Sequence, residues 1–400
     1  MKKIVHLFFL VPFIVNALNL QDWISLYVGG TSGQLVAYGN VGLLILGSFL
    51  IIKLKGSPLG TPGTWAVFFA VHYSLSILAS ILYNNPANFG YTLVNIVFYF
   101  SFLLYLKRLV DLSFIQTYFT IVFSIASICL IFLWNMQLDL DYFSSDISWG
   151  LDRASGLYGD ANNACLVSII SYVFLKFTDF GNLPFKSLIK LILTLLISYS
   201  VILTFSTTGY LVFVFVVILC NYKYLSKRNI LASMFALPLL YLIIINLTWL
   251  TAGLNLNERQ QSKIVNFENI FSFKFDQIDN SGRFEHIDNV IGKLYENPFF
   301  GHGFDFGLNH LTHNTYLNIW LESGIIGLLV LIVVLAIYFS RAIKVEKKTK
   351  YFSLAILFAV SIFMLSLQTV INQPYIMVVL TYVGVLIDKG LIKKNDERFS

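Results

Sequence analysis

The sequence predicts an all-α integral membrane protein: about twelve transmembrane helices and one large outward (periplasmic or extracellular) loop carrying short amphipathic helices. Three observations carry this. Only 12% of the 400 residues are charged and 57% are hydrophobic, whereas about 25% of a soluble domain is charged, so charge is too scarce to cover a water-facing surface. Apolar runs recur along almost the whole chain, each near the roughly 20 residues that a helix rising about 1.5 Å per residue needs to cross hydrocarbon. The basic residues gather in short clusters between alternate runs, the signature of orientation in a membrane.

Taken in order, the predicted spans are 4–20, 35–52, 64–83, 89–106, 113–135, 161–177, 187–204, 208–222, 230–250, 314–340, 351–370 and 374–388. Strands of a membrane barrel would alternate apolar and polar residues, and these runs are continuous. With Lys2 and Lys3 in the cytoplasm, 21 of the 27 Lys and Arg residues lie on the cytoplasmic side. Arg153, Arg259, Lys263, Lys274, Arg283 and Lys293 fall outside. Both termini are then expected in the cytoplasm. The first run also fits a cleavable signal peptide, ending at Val15-Asn16-Ala17, and cleavage would leave the later spans oriented as before.

No internal repeat, low-complexity stretch or soluble domain interrupts this pattern, so residues 1–400 read as a single polytopic membrane domain. Cys129, Cys165 and Cys220 all fall in apolar runs, without metal-site or disulfide spacing, and read as small buried hydrophobes. The net charge of +6 follows from topology and gives no reason to invoke nucleic acid.

Two outward segments stand out, 136–160 and the larger 251–313. Loops longer than about 15 residues are usually functional or disordered. The spacing of Ile264, Phe267, Ile270 and Phe271, and later of Phe284, Ile287, Val290, Ile291 and Leu294, predicts amphipathic helices on the membrane surface or over a cavity.

Outward cations are few, so Arg153 and Arg283 invite an explanation. A guanidinium is a permanent fork of donors suited to phosphate and pyrophosphate oxygens. Arg153 lies in LDRASGLYGDANNAC beside Asp160, Asn162 and Asn163, and the competing reading is an interfacial arginine meeting headgroups or Asp152. Arg283 opens a run that ends in Gly301, Gly303 and Gly307, glycines that permit tight turns or close approach of the backbone to a ligand. An ordinary capped surface helix is the plainer alternative. His313 and Asn314 stand at the mouth of the tenth span, with Glu322 about two turns inside. A histidine there can act as a general base or hold a substrate oxygen, though a lone histidine is most often structural. No metal is expected at His302, His310 and His313, because no carboxylate or cysteine completes a zinc-like spacing. A carboxyl deep in an apolar span is costly, so Glu322 is expected to face a polar cavity or to pair with Arg283 or Arg153.

At these residues the chain resembles the bacterial O-antigen ligase and O-antigen or capsule polymerase superfamily, multi-pass glycosyltransferases of the inner membrane. The matched signature is His-Asn, nine residues, then Gly-X-X-Gly, met by His313, Asn314, Gly324 and Gly327 and preceded by NPFFGHGF at 297–304. Arg153, Gly156 and Asn162 resemble the family's earlier arginine, glycine and asparagine element. Where members often carry Ser-Arg, this chain has Thr204 to Gly209 without an arginine, and Leu328 and Leu329 stand where ligases tend to have Thr-Thr. The second departure favours a polymerase.

The resemblance implies glycosyl transfer from a polyprenyl-pyrophosphate-linked oligosaccharide at the outer face of the bacterial cytoplasmic membrane, with no cofactor and no metal. His313, Arg283 and Arg153 would be catalytic, supported by Asn314, Glu322, Gly156, Asn162, Gly324 and Gly327. Expected partners are lipid-linked oligosaccharides and membrane lipid, with a chain-length regulator and a flippase as further candidates. Two rivals remain: a ligase that passes polymer to another acceptor, and a flippase or transporter, which would place coupling groups near the bilayer midplane.

Overall fold

The structure, a computed structural model, describes residues 2–54, 59–84, 89–109, 111–138, 153–224, 241–254, 256–278, 283–310 and 312–399, apart from the side chains of 2, 3, 89–93, 283–289, 308 and 395–399. No strand occurs among the described residues. The helices are α1 (Lys2–Ala17), α2 (Leu20–Tyr27), α3 (Gly30–Ile51), α4 (Thr64–Leu82), α5 (Phe89–Arg108), α6 (Leu112–Asn135) and α7 (Ala161–Phe177). They continue with α8 (Lys186–Leu203), α9 (Thr207–Cys220), α10 (Glu258–Phe271), α11 (Arg283–Glu296), α12 (Thr315–Ala342), α13 (Lys347–Phe363) and α14 (Pro374–Phe399). Eleven of the twelve predicted spans thus coincide with a helix. Most of the twelfth, 230–250, lies outside the described residues, as does most of the loop at 136–160.

Among the described residues, six helices are long and apolar enough to cross a membrane on length and composition alone. The protein is a multi-pass, all-α membrane protein. Large apolar side chains such as Phe49, Ile81, Leu195 and Val333 stand exposed on the outside of the bundle, as lipid permits and water does not. α7 is apolar on every side and buried along nearly its whole length between α6, α8, α9 and α13, so it forms the centre. The first half of α14 is buried likewise, against α5.

Side-chain caps fix several helix starts. Asp111, Asp160 and Ser206 accept from backbone N–H groups of the first turns of α6, α7 and α9, and Asn257 forms a capping box with Gln260 at α10. One element absent from the apolar-run pattern is α2, which leaves α1 at 66°. Its eight residues, LQDWISLY, are amphipathic rather than apolar, and α2 packs along α3.

At the end of the bundle that carries the short connections, Asp388 of α14 ties three helices and a loop together. It accepts from Thr61 N at 2.9 Å, pairs with Lys107 Nζ at 3.3 Å and lies 3.9 Å from Arg341 Nη1.

Candidate functional site

The site starts from a break in α12. Gly324 adopts φ +72° and ψ −177°, a backbone region open to glycine alone in practice, and interrupts the helix inside its apolar run. A broken helix frees backbone groups that lipid cannot satisfy. The NPFFGHGF segment satisfies them: His302 N donates to Leu321 O at 2.6 Å, Gly303 N to Glu322 O at 3.1 Å, and Ile325 N to Pro298 O at 2.8 Å. Trp320 Nε1 adds a bond to Pro298 O at 3.0 Å. Backbones approach so closely that a Cβ on Gly324 would fall 1.9 Å from Phe299 O, and one on Gly301 2.6 Å from Leu321 O. Two of the glycines singled out in the sequence are therefore required by a strap across a broken span.

The break places Glu322 beside α4. His72, 2% exposed, lies with Nε2 3.5 Å from Glu322 Oε2, and Glu322 is itself 3% exposed. The Ser323 hydroxyl donates to Ile319 O at 2.9 Å, so its oxygen accepts from His72 Nδ1 at 2.7 Å. That fixes the hydrogen of the imidazole on Nδ1 and turns Nε2 toward the carboxyl, so one proton serves the Nε2–Oε2 contact. Asn318 Nδ2 holds the other oxygen of Glu322 at 3.0 Å. Of the two expectations for Glu322, a polar cavity and a basic partner, Glu322 does line a polar cavity, its contact there is His72 and not Arg153, and the Arg283 side chain lies outside the described residues. His72 comes to Glu322 from a helix 250 positions away in sequence, while Arg153 is bonded to Thr204 and Asn162.

His72 and Glu322 line a cavity of about 380 Å³ at the end of the bundle where the long connections lie. Six amides stand in its wall: Asn16, Asn19, Asn95, Asn163, Asn372 and Gln373. Asp22, Asp305 and the rings of Tyr73, Tyr158, Phe304 and Tyr375 complete most of it. Tyr375 donates to Asn163 Oδ1 at 3.0 Å, and Asn95 Nδ2 to Asn372 O at 2.8 Å. Burial holds the Tyr158 phenol well above its ordinary range, so it serves as a neutral donor.

The 153–163 segment borders this cavity through Tyr158 and Asn163, and its arginine is anchored just behind. Arg153 Nε donates to Thr204 O and Nη2 to Asn162 Oδ1, both at 2.9 Å, and Asn162 Oδ1 also accepts from Ser206 Oγ at 2.8 Å. The stretch Thr204 to Gly209, which lacks the family-like arginine, is therefore the stretch Arg153 grips. Gly156 packs against Leu130, where a Cβ would fall 2.9 Å from the leucine Cβ.

Asn314 is the N-cap of α12, accepting from Tyr316 N at 2.9 Å and Leu317 N at 3.1 Å. The preceding His313 is exposed, with φ +46°, and lies outside the lining of the cavity. Arg283 begins α11, while its side chain lies outside the described residues. α11 reaches α12 through Val290 and Leu294, which pack on Leu321. Gly327 makes room for Ser323, whose Oγ would lie 1.9 Å from an added Cβ. His302 and His310 are engaged structurally: His302 Nε2 donates to Lys293 O at 2.8 Å and His310 Nδ1 to Phe306 O at 2.8 Å. Among the described residues no group of three or more His, Cys, Asp or Glu is arranged to hold a metal ion.

Sequence reasoning missed His72 and the amide wall. His72 carried a signal, a histidine in the middle of the apolar run FFAVHYSLS. Of the amides only Asn163 stood out, beside Arg153; the others are scattered through or between four apolar runs without a shared spacing.

No curated protein matches the chain. Residues 192–332, which include the strap, His313, Asn314 and the break at Gly324, match a family model described as O-antigen ligase.

Proposed function

We propose that the protein polymerises polyprenyl-pyrophosphate-linked oligosaccharide repeat units into O-antigen or capsular polysaccharide at the outer face of the bacterial cytoplasmic membrane. The observation that carries this is the meeting, at one end of the bundle, of the strapped His-Asn span and the Arg153 segment around a polar cavity. In this reading the end with the long connections faces outward and both termini face the cytoplasm, in keeping with the distribution of Lys and Arg.

An acceptor sugar hydroxyl attacks the anomeric carbon of the donor sugar. The new glycosidic C–O bond forms as the bond to pyrophosphate breaks, and polyprenyl pyrophosphate departs with the electron pair. Arg153 and Arg283 stabilise the negative charge that grows on the leaving group. Arg153 suits that task because Asn162 and Thr204 already orient its guanidinium. His313 orients the acceptor hydroxyl and takes its proton, with Asn314 setting the first turn that carries it. No nucleotide sugar and no metal enters this scheme.

A gene deletion complemented with His313→Ala or Arg283→Ala, at unchanged protein level, tests the reading. The expected result is that single repeat units persist on the lipid carrier; long polymer from both variants would refute the assignment. Polymer that is made but left unattached would instead identify a ligase. Lipid-linked units accumulating only on the cytoplasmic leaflet would identify a flippase.

A further inference from the structure

We infer that the 380 Å³ cavity is a subsite for the saccharide part of a substrate, for sugars without acidic groups, and that pyrophosphate is bound elsewhere. The inference rests on the glycosyl-transfer reading for the source of the ligand, while the chemistry of the wall stands independently of it.

The volume lies at the lower end of the ~300–1,000 Å³ typical of small-molecule sites, enough for a short saccharide and too small for a polyprenyl chain. Sugar hydroxyls each donate and accept, and side-chain amides are the groups that answer in both directions. Six of the sixteen lining residues of the cavity carry such amides. Its rings offer apolar faces for the C–H surface of a sugar, and Tyr375 also carries a hydroxyl.

Charge argues against the alternative anion. No Lys or Arg is among the described lining residues, whereas Asp22 and Asp305 are, and the paired His72 and Glu322 share one proton between them. A pyrophosphate ester there would meet the like charges of Asp22 and Asp305 with no described Lys or Arg in the wall to offset them, a repulsion that grows as water is excluded. Arg153 stays behind the wall, bonded to Asn162 and Thr204. The geometry therefore separates two jobs: sugar in the amide cavity, phosphate on the arginine side. Asp22 and Asp305 also turn away sugars that carry carboxylate or phosphate substituents.

The test uses the full chain in lipid nanodiscs and two probes. One is the oligosaccharide fraction released by mild acid from the lipid-linked pool of the source cells; the other is inorganic pyrophosphate. Binding is read by saturation-transfer difference NMR. The expected result is saturable oligosaccharide binding, weakened at least fivefold by Asp22→Asn and by Tyr375→Phe, while pyrophosphate binding changes less than twofold in both. Both substitutions keep the shape of the side chain, and unchanged melting temperatures confirm that the fold is kept. As a second readout, Asp22→Cys at the exposed rim should be alkylated by a maleimide more slowly with oligosaccharide present and at an unchanged rate with pyrophosphate.

Oligosaccharide binding indifferent to these residues, or pyrophosphate protecting the cysteine in place of oligosaccharide, would overturn the inference. The two proposals fail separately. Sugar binding with these sensitivities in membranes that transfer nothing would sink glycosyl transfer and keep the subsite. Transfer that proceeds while sugar binding ignores Asp22 and Tyr375 would do the reverse.

Discussion

Gly324→Ala is the sharpest perturbation the fold offers. Its backbone lies at φ +72°, ψ −177°, where a side chain costs about 1–3 kcal/mol in strain. The new Cβ would also stand 1.9 Å from Phe299 O and 2.6 Å from Phe300 N, both backbone atoms held by the strap. Since neither can swing away alone, the strap must lift and give up the bonds of His302 N, Gly303 N and Ile325 N. At a net ~0.5–1.5 kcal/mol per bond the total reaches roughly 3–7 kcal/mol. The expected melting temperature of detergent-solubilised protein falls on the order of 10 °C. Amide exchange at 302, 303 and 325 should accelerate together. Two controls set the scale. Gly327→Ala meets chiefly the rotatable Ser323 hydroxyl, so about 1–3 kcal/mol is lost as that group turns from His72 and Ile319. Gly292→Ala meets nothing within 4 Å, and in the interior of α11 should stabilise by up to about 1 kcal/mol. A Gly324→Ala protein that melts within two degrees or so of wild type, with those three amides still protected, would refute the argument.

Further predictions concern the polar groups. Arg153→Lys cannot bond Thr204 O and Asn162 Oδ1 together, so polymer length should collapse with a loss of about 1–3 kcal/mol in stability, checked by saccharide profiling and thermal shift. Glu322→Gln is expected to shorten the polymer while the protein still folds, because an amide can keep the His72 and Asn318 contacts only in part; full-length polymer would remove any need for a carboxyl there. Asp388→Asn should destabilise by about 2–4 kcal/mol, since buried Lys107 loses its counter-ion, and should leave sugar binding at the opposite end unchanged. Asp111 is held below its ordinary value, first by the bond from the Ser113 hydroxyl and then by the Ser113 backbone N–H. Its cap therefore contributes fully above the unfolded carboxyl value, about 3.9, and fades as pH falls through the lower folded value, a trend that Asp111→Ala should abolish in acid melts.

The bundle was readable because its spans are continuous runs of the right length; the tenth run, for instance, becomes α12 almost residue for residue. That same continuity hid the break. IWLESGIIGLL is apolar on both sides of Gly324, and only the strap, brought back by the chain from 297–304, makes a left-handed glycine favourable there. The arginine element was legible as a motif, and Asn162 proved to be its partner. The partner of Glu322 was not, because pairing with His72 depends on α4 lying along α12, a tertiary fact without a local pattern. α2 escaped notice because LQDWISLY is too short and too polar to register as a span.

The strap also changes what kind of object residues 298–325 are. Pro298 O and Ile325 N are joined, Thr315 N is bonded to Met364 O, and Gly307 O accepts from Gln368, so the segment leaves the bundle and returns to its own starting point as a ring riveted at its base and along its rim. A ring has a fixed circumference. Adding or deleting one residue between Gly303 and Thr315 would turn the following helix by about 100° and bring the wrong carbonyls to His302 and Gly303. The spacing from NPFFGHGF to the His-Asn pair and on to Gly324 is therefore a mechanical dimension of the molecule, in the way that the pitch of a thread is a dimension of a screw.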